Sequence, residues 1–85
     1  MRAMISSAQI RAGRGLLKWT QATLAAQAAV SIVTLNMIET EQVAARARTM
    51  EAIQRALEGA GVAFIGDDET GRGVLLRPPA TRNDG

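Results

Sequence analysis

The chain has 85 residues and a net charge of +2, which suits one domain with a marginal core, because chains this short bury only about 60% of their unfolded surface. It contains neither Cys nor His, which excludes a disulfide framework, a thiol nucleophile, a Cys/His zinc site and a histidine acid–base pair. Residues 1–48 carry six basic and two acidic side chains, whereas residues 49–85 carry four basic and six acidic ones, so the N-terminal part suits a polyanion.

Little catalytic inventory is left. Asp67, Asp68 and Glu69 form the one carboxylate cluster; their glycine-flanked setting reads as a solvated loop tip. Nothing resembles a phosphate loop or an activated nucleophile, so neither an enzyme nor a cofactor is expected. The opening Met1-Arg2-Ala3-Met4-Ile5-Ser6-Ser7 has no continuous apolar run, and Ala22–Ile38 is interrupted by Gln27, Ser31, Thr34 and Asn36. A soluble, cytoplasmic protein with no membrane partner is therefore expected.

In chain order, Ser6 or Ser7 N-caps a first helix running to about Leu17, with Ile10, Leu16 and Leu17 as its apolar side. Gly13 and Gly15 weaken it by about 1 kcal/mol each relative to Ala. Lys18-Trp19 connects to Thr20, the next N-cap, and Gln21–Ala28 forms a short helix with Leu24 and Ala25 inward. Ala29-Val30 is a tight turn, Ser31 a third N-cap, and Ile32–Glu39 a further short helix with Leu35 and Ile38 inward. Helices this short persist only when docked on their neighbours.

Thr40–Arg46 reads as a loop. Ala47–Ala60 is the clearest amphipathic helix, with Met50, Ile53, Leu57 and Ala60 on one face and Gly61 as its stop. Val62–Ile65 and Val74–Arg77 have strand composition and flank the turn-rich segment Gly66–Gly73. Pro78-Pro79 ends the second strand. The expected units are a helix-turn-helix domain over 5–61, a β-hairpin over 62–77 and a flexible tail over 78–85.

Between Ile10 and Leu57, the residues Arg14, Trp19-Thr20-Gln21, Leu24-Ala25, Val30-Ser31, Thr34-Leu35, Ile38-Glu39 and Thr49 stand in an order and spacing that resembles the Cro/C1-type (XRE) bacterial and phage regulators. The segment from Ala56 to Arg77 looks like a small bacterial subgroup with a C-terminal hairpin. The fold implied is mostly α: a four-helix, lambda repressor-like helix-turn-helix domain followed by a β-hairpin. Ala29 departs from the family, which usually has Gly in the turn; a left-handed Ala there costs about 1 kcal/mol.

By this resemblance, Gln21 contacts the DNA backbone and sometimes a base; its alternative is a second capping residue. The base-reading positions fall on Ile32, Val33, Asn36 and Met37. Asn36 suits adenine or a phosphate, and Ile32 and Val33 suit thymine methyl groups. The alternative is that Ile32, Val33 and Met37 belong to the core, but Leu35 and Ile38 already occupy the inward stripe. An exposed patch of this kind calls for a partner. Candidate phosphate contacts are Lys18, Thr20, Ser31 and Thr34, with Arg46 and Arg48 beside the start of the fourth helix. The alternative for the two arginines is a solvated charged face. Arg14 and Glu39 match a pair that joins the first helix to the end of the recognition helix; otherwise they are two exposed charges.

Phe64, Ile65, Val74, Leu75 and Leu76 are too apolar for a free hairpin. They either fold back on Met50, Ile53 and Leu57 or pair with another copy; a dimer suits palindromic half-sites. The expected function is a sequence-specific, homodimeric transcriptional repressor that occupies double-stranded DNA at a promoter or operator, its own included. Two alternatives remain at this level. One is an antitoxin that binds its operator and a toxin through the tail or the acidic Asp67–Glu69 loop; the other is a degenerate helix-turn-helix acting as an anti-activator on a protein partner.

Overall fold

A computed structural model describes residues 5–78; the segment 1–4 and most of the expected tail, 79–85, lie outside the described residues. Four helices are followed by two strands: α1 Ser7–Leu17, α2 Gln21–Ala28, α3 Ile32–Glu39, α4 Ala47–Gly59, β1 Val62–Asp67 and β2 Gly71–Leu76. Among the described residues no single helix is long and apolar enough to cross a membrane.

Helix α1 starts with a capping box. Ser6 Oγ accepts from the Gln9 backbone N–H at 3.1 Å, and Gln9 Oε1 accepts from the Ser6 N–H at 2.9 Å, so two otherwise orphaned donors are satisfied. The buried side of α1 is Gln9, Ile10 and Gly13, which corrects the expected apolar side. Leu17 is half-buried, but Leu16 is 40% exposed. At 100° per residue Leu16 falls well off the Ile10–Gly13–Leu17 line. Gly13 lies where α1 meets Val62 and Leu57, and a Cβ there would stand 3.4 Å from Val62.

The two short central helices are capped alike. Thr20 Oγ1 accepts from the Thr23 N–H, and Ser31 Oγ from the Thr34 N–H, at 3.1 and 3.0 Å. Their axes turn by 113° between Ala28 and Ile32, within the range of a helix-turn-helix unit. The turn is made by Ala29 at φ 57°, whose N–H bonds the carbonyls at the end of α2. An alanine is thus held in the left-handed region that ordinarily takes glycine.

Ile10, Leu24, Leu35, Ile53 and Leu57, one or more from each helix, are fully buried. Burying such a side chain stabilises the fold by about 1.5–3 kcal/mol. Helix α4 ends one residue earlier than expected, at Gly59, and Ala60 is half-buried.

The strands are longer than their apolar runs. The register Val62↔Leu76 to Asp67↔Gly71 takes in most of the segment expected to be loop, because ladder bonds use backbone groups that Gly and Asp also carry. A three-residue connection, Asp68–Thr70, remains, with the carboxylates exposed at its tip. Asp67 Oδ1 accepts from the Glu69 and Thr70 backbone N–H groups and from the Thr70 hydroxyl, all within 2.9 Å. At Gly66 (φ 84°) a Cβ would lie 1.8 Å from the Gly71 carbonyl oxygen, so this position requires glycine.

Cross-strand partners share a face. Val62, Phe64 and Val74 turn inward: Val62 is buried and the other two pack against the core. The hairpin therefore folds back on the helices, and Phe64 and Val74 belong to this intramolecular contact rather than to a free surface. The outer face carries Ala63, Ile65, Gly73 and Leu75, with Ile65 and Leu75 exposed by 45% and 42%. Leu76, on the inner face at the open end, is also exposed. Gln9 fastens the hairpin to α1, since its Nε2 donates to the Gly73 carbonyl at 2.9 Å.

Replacing Ala29 by Gly removes the left-handed penalty, so the Ala29→Gly variant is expected to be more stable by about 1 kcal/mol. Urea unfolding followed by circular dichroism measures it; an unchanged or lower midpoint would contradict the turn geometry.

Candidate nucleic-acid interface

The site is organised around one buried carboxylate. Glu39, the last residue of α3, is 1% exposed. Its Oε2 accepts from Arg14 Nε at 2.7 Å and its Oε1 from an Arg14 terminal nitrogen at 2.8 Å. This is a bidentate ion pair, the geometry in which guanidinium and carboxylate match best. Arg14 also donates to the Trp19 carbonyl at 2.9 Å, so one side chain joins α1, the α1–α2 connection and the end of α3. Of the two readings open for Arg14 and Glu39 in the sequence, the structure has the ion pair.

Burial opposes ionisation of Glu39. Hydrogen bonds from Arg14 and Gln21, with the charges of Arg14 and Arg11, outweigh it and hold the carboxyl below the ordinary range. The Arg14 guanidinium is raised by its hydrogen bond to Glu39, partly offset by desolvation and supported by the carboxylate charge.

Two further α1 side chains secure the end of α3. Ser7 Oγ donates to the Ile38 carbonyl at 2.8 Å, and Arg11 donates to the Glu39 carbonyl. Both satisfy carbonyls that a helix C-terminus leaves without an internal partner, and Arg11 adds a favourable positive charge there. Sequence reading missed Ser7, Gln9 and Arg11 in these positioning roles. The Ser6–Gln9 spacing was a readable capping box; nothing local signalled the contacts to α3 and the hairpin.

Gln21, half-buried in the first turn of α2, lies between Glu39 and α3. Its Nε2 donates to Glu39 Oε1 at 3.0 Å, and its Oε1 accepts from Asn36 Nδ2 at 3.3 Å. It is not a capping residue, because Thr20 performs that task.

The outer side of α3 presents Ile32, Val33 and Asn36, all exposed, with Val33 at 65% the most open of the large apolar side chains among the described residues. Neither Ile32 nor Val33 is a core residue. Met37 is half-buried, so it contributes less of the expected patch. Thr20, Ser31 and Thr34 are exposed on the helix starts, and each N-cap hydroxyl meets the hydroxyl of the third helical residue, Thr20 with Thr23 and Ser31 with Thr34. Lys18 is exposed at the end of α1.

Arg46 is the N-cap of α4, and Arg48 lies within its first turn. Both are exposed. Arg46 makes no side-chain cap, which leaves the positive end of α4 open to an anion. One shallow hollow is lined by Thr34 of α3 together with the N-cap Arg46 and Thr49 of α4, so a polar group from α3 and the start of α4 share a surface. No group of acidic residues suited to a metal occurs among the described residues.

Residues 10–60 match a family model described as helix-turn-helix. No curated protein matches the chain.

A carboxyl with a lowered folded pKa stabilises the fold above its unfolded value, about 4.3 for Glu. That contribution is lost as pH falls through the folded value below it. Asp67, lowered by the Thr70 and Glu69 hydrogen bonds, acts in the same direction from its own unfolded value of about 3.9. Glu39→Gln is expected to lower stability at pH 7 by up to about 3 kcal/mol, since Arg14 keeps some solvent access. It should also make the acid-side loss shallower than in the wild type, as read by chemical denaturation at a series of pH values.

Proposed function

We propose that this chain, which belongs to the Cro/C1-type (XRE) helix-turn-helix family of DNA-binding regulators, is a sequence-specific repressor. It binds double-stranded DNA as a homodimer in the cytoplasm and acts by occupying a promoter or operator, its own included. The family is a regulatory one and not a family of enzymes. The observation that carries the reading is the pose of α3: turned 113° from α2, it projects exposed Ile32, Val33 and Asn36 beside Gln21.

A recognition helix lies in the major groove with its first turns at the base edges. Ile32 and Val33 then pack on thymine methyl groups, Met37 adds a half-buried flank, and Asn36 and Gln21 supply the polar contacts. Thr20, Ser31 and Thr34, the start of α4 with Arg46 and Arg48, and Lys18 hold phosphates. With few polar base-reading groups, much of the selectivity falls to half-site spacing and DNA shape.

The hairpin supports dimerisation. An antiparallel sheet with one face in water normally alternates apolar and polar residues; here the outer face repeats Ala63, Ile65 and Leu75, and Leu76 adds apolar surface at the end. A second copy covering this face gives two-fold symmetry, which matches a palindromic site. Exposure of Ile32 and Val33 also favours a second reading, docking of α3 on a protein partner.

Gel-shift titration across a salt series, using DNA upstream of the chain's own gene against unrelated DNA of equal length, is expected to show selective binding that weakens steeply with salt. Arg46→Ala should weaken binding to both DNAs alike and reduce the salt slope by about 1. No binding to any duplex at low salt would sink this reading in favour of protein docking. Leu75→Glu is expected to convert dimer to monomer in sedimentation equilibrium with an unchanged helical spectrum; a monomeric wild type would refute the hairpin interface.

A further inference from the structure

We infer that Glu39, through Gln21, fixes the Asn36 amide in the orientation that reads adenine, which makes a buried residue that touches no base a positioning residue for sequence selectivity. This deepens the DNA-binding reading above and depends on it.

A side-chain amide carries a donor and an acceptor on one carbon, and a half-turn exchanges them. Unconstrained, Asn36 can present either arrangement to a groove. Glu39 removes the choice. Its ionised carboxylate offers acceptors only, and it is committed to Arg14 at 2.7 and 2.8 Å. Gln21 must therefore turn its nitrogen toward Glu39, as it does at 3.0 Å. Its oxygen consequently faces the other way, and Asn36 meets that oxygen with Nδ2 at 3.3 Å. Reversing Asn36 would set its oxygen against the Gln21 oxygen. Reversing Gln21 as well would set an oxygen against the carboxylate, at a site closed to water around Glu39. The direction of the chain is thus dictated from its buried end.

With one Nδ2 hydrogen directed at Gln21, Asn36 offers the groove its Oδ1 and the second Nδ2 hydrogen. Adenine presents the complement, an N6 donor beside the N7 acceptor. Guanine presents two acceptors there, so Oδ1 would face the O6 oxygen, and a turned amide would only set that oxygen against N7 instead. Cytosine offers a donor without the neighbouring acceptor, and thymine only an acceptor with a methyl group. The backbone under Asn36 is held too, because Ser7 and Arg11 bind the carbonyls of Ile38 and Glu39.

The test is selection of binding sites from a randomised duplex with the full chain, followed by affinities for all four base pairs at each selected position. Asn36→Ala should abolish an adenine preference at one position of each half-site, a loss of about 5- to 150-fold in discrimination. Gln21→Met, which keeps both charges of the ion pair, should lose most of the same preference at the same position. Glu39→Gln, checked for folding by its thermal transition, should do likewise, because a neutral amide accepts either orientation of Gln21. A purely structural role for Glu39 would instead weaken all sites uniformly. An undiminished adenine preference in Gln21→Met, or no adenine position sensitive to Asn36→Ala, would overturn the inference while leaving DNA binding intact. A wild type that selects no sequence would remove the repressor reading and this inference with it.

Discussion

The bidentate pair between Arg14 and Glu39 sets the relative placement of the first three helices. Apolar burial drives the collapse but has no direction; Ile10, Leu24 and Leu35 would tolerate small rotations about one another. A guanidinium fork on a carboxylate does not. With Glu39 at the end of α3 and 1% exposed, with Arg14 also on the Trp19 carbonyl and with Gln21 on the same carboxylate, the angle at which α3 leaves the body is fixed by directional bonds. Removing either partner leaves a charge with little water to replace it, so the pair is well suited to specifying orientation whatever its net contribution to stability.

Helices α2 and α3 have eight residues each, too short to persist alone. The chain compensates at their ends. Thr20 and Ser31 occupy donors at the starts, the left-handed Ala29 closes α2, and Ser7 and Arg11 reach across from α1 to the end of α3. Because these ends are secured from behind, the outer side of α3 is free of structural duty and can carry Ile32 and Val33 in the open. A surface valine at 65% exposure contributes little to folding, which is why it is informative about a partner.

The hairpin serves a different purpose on each face. Its inner side completes a core that four short helices would leave open, through Val62 with Phe64 and Val74 behind it. Gly13 permits the close approach, and Gln9 links the α1 capping box to the Gly73 carbonyl. Its outer side repeats apolar residues where alternation would place polar ones. The same element thus completes the core on one side and leaves apolar side chains exposed on the other.

Local chemistry made most of the element plan readable. Ser6 or Ser7, Thr20 and Ser31 announce helix starts, Gly61 a stop, and the Met50–Ile53–Leu57 stripe its buried face, because caps and helical periodicity act over a few neighbouring residues. Boundaries that depend on pairing were less legible: the strands run through Gly66 and Gly71, where composition reads as loop, since backbone ladders need a partner rather than a particular side chain. Leu16 was misjudged for a related reason, its burial depending on where neighbouring elements lie. The sequence by itself determined the order of helices, their caps, the hairpin and the family pattern that pairs Arg14 with Glu39. Only the tertiary structure decided that Gln21 joins that pair to Asn36, that Gln9 binds the hairpin, and that Phe64 and Val74 turn inward while Ile65 and Leu75 turn out. Those contacts span residues far apart in the chain, and a hydrogen bond between side chains is set by distance and angle in space, which no local pattern encodes.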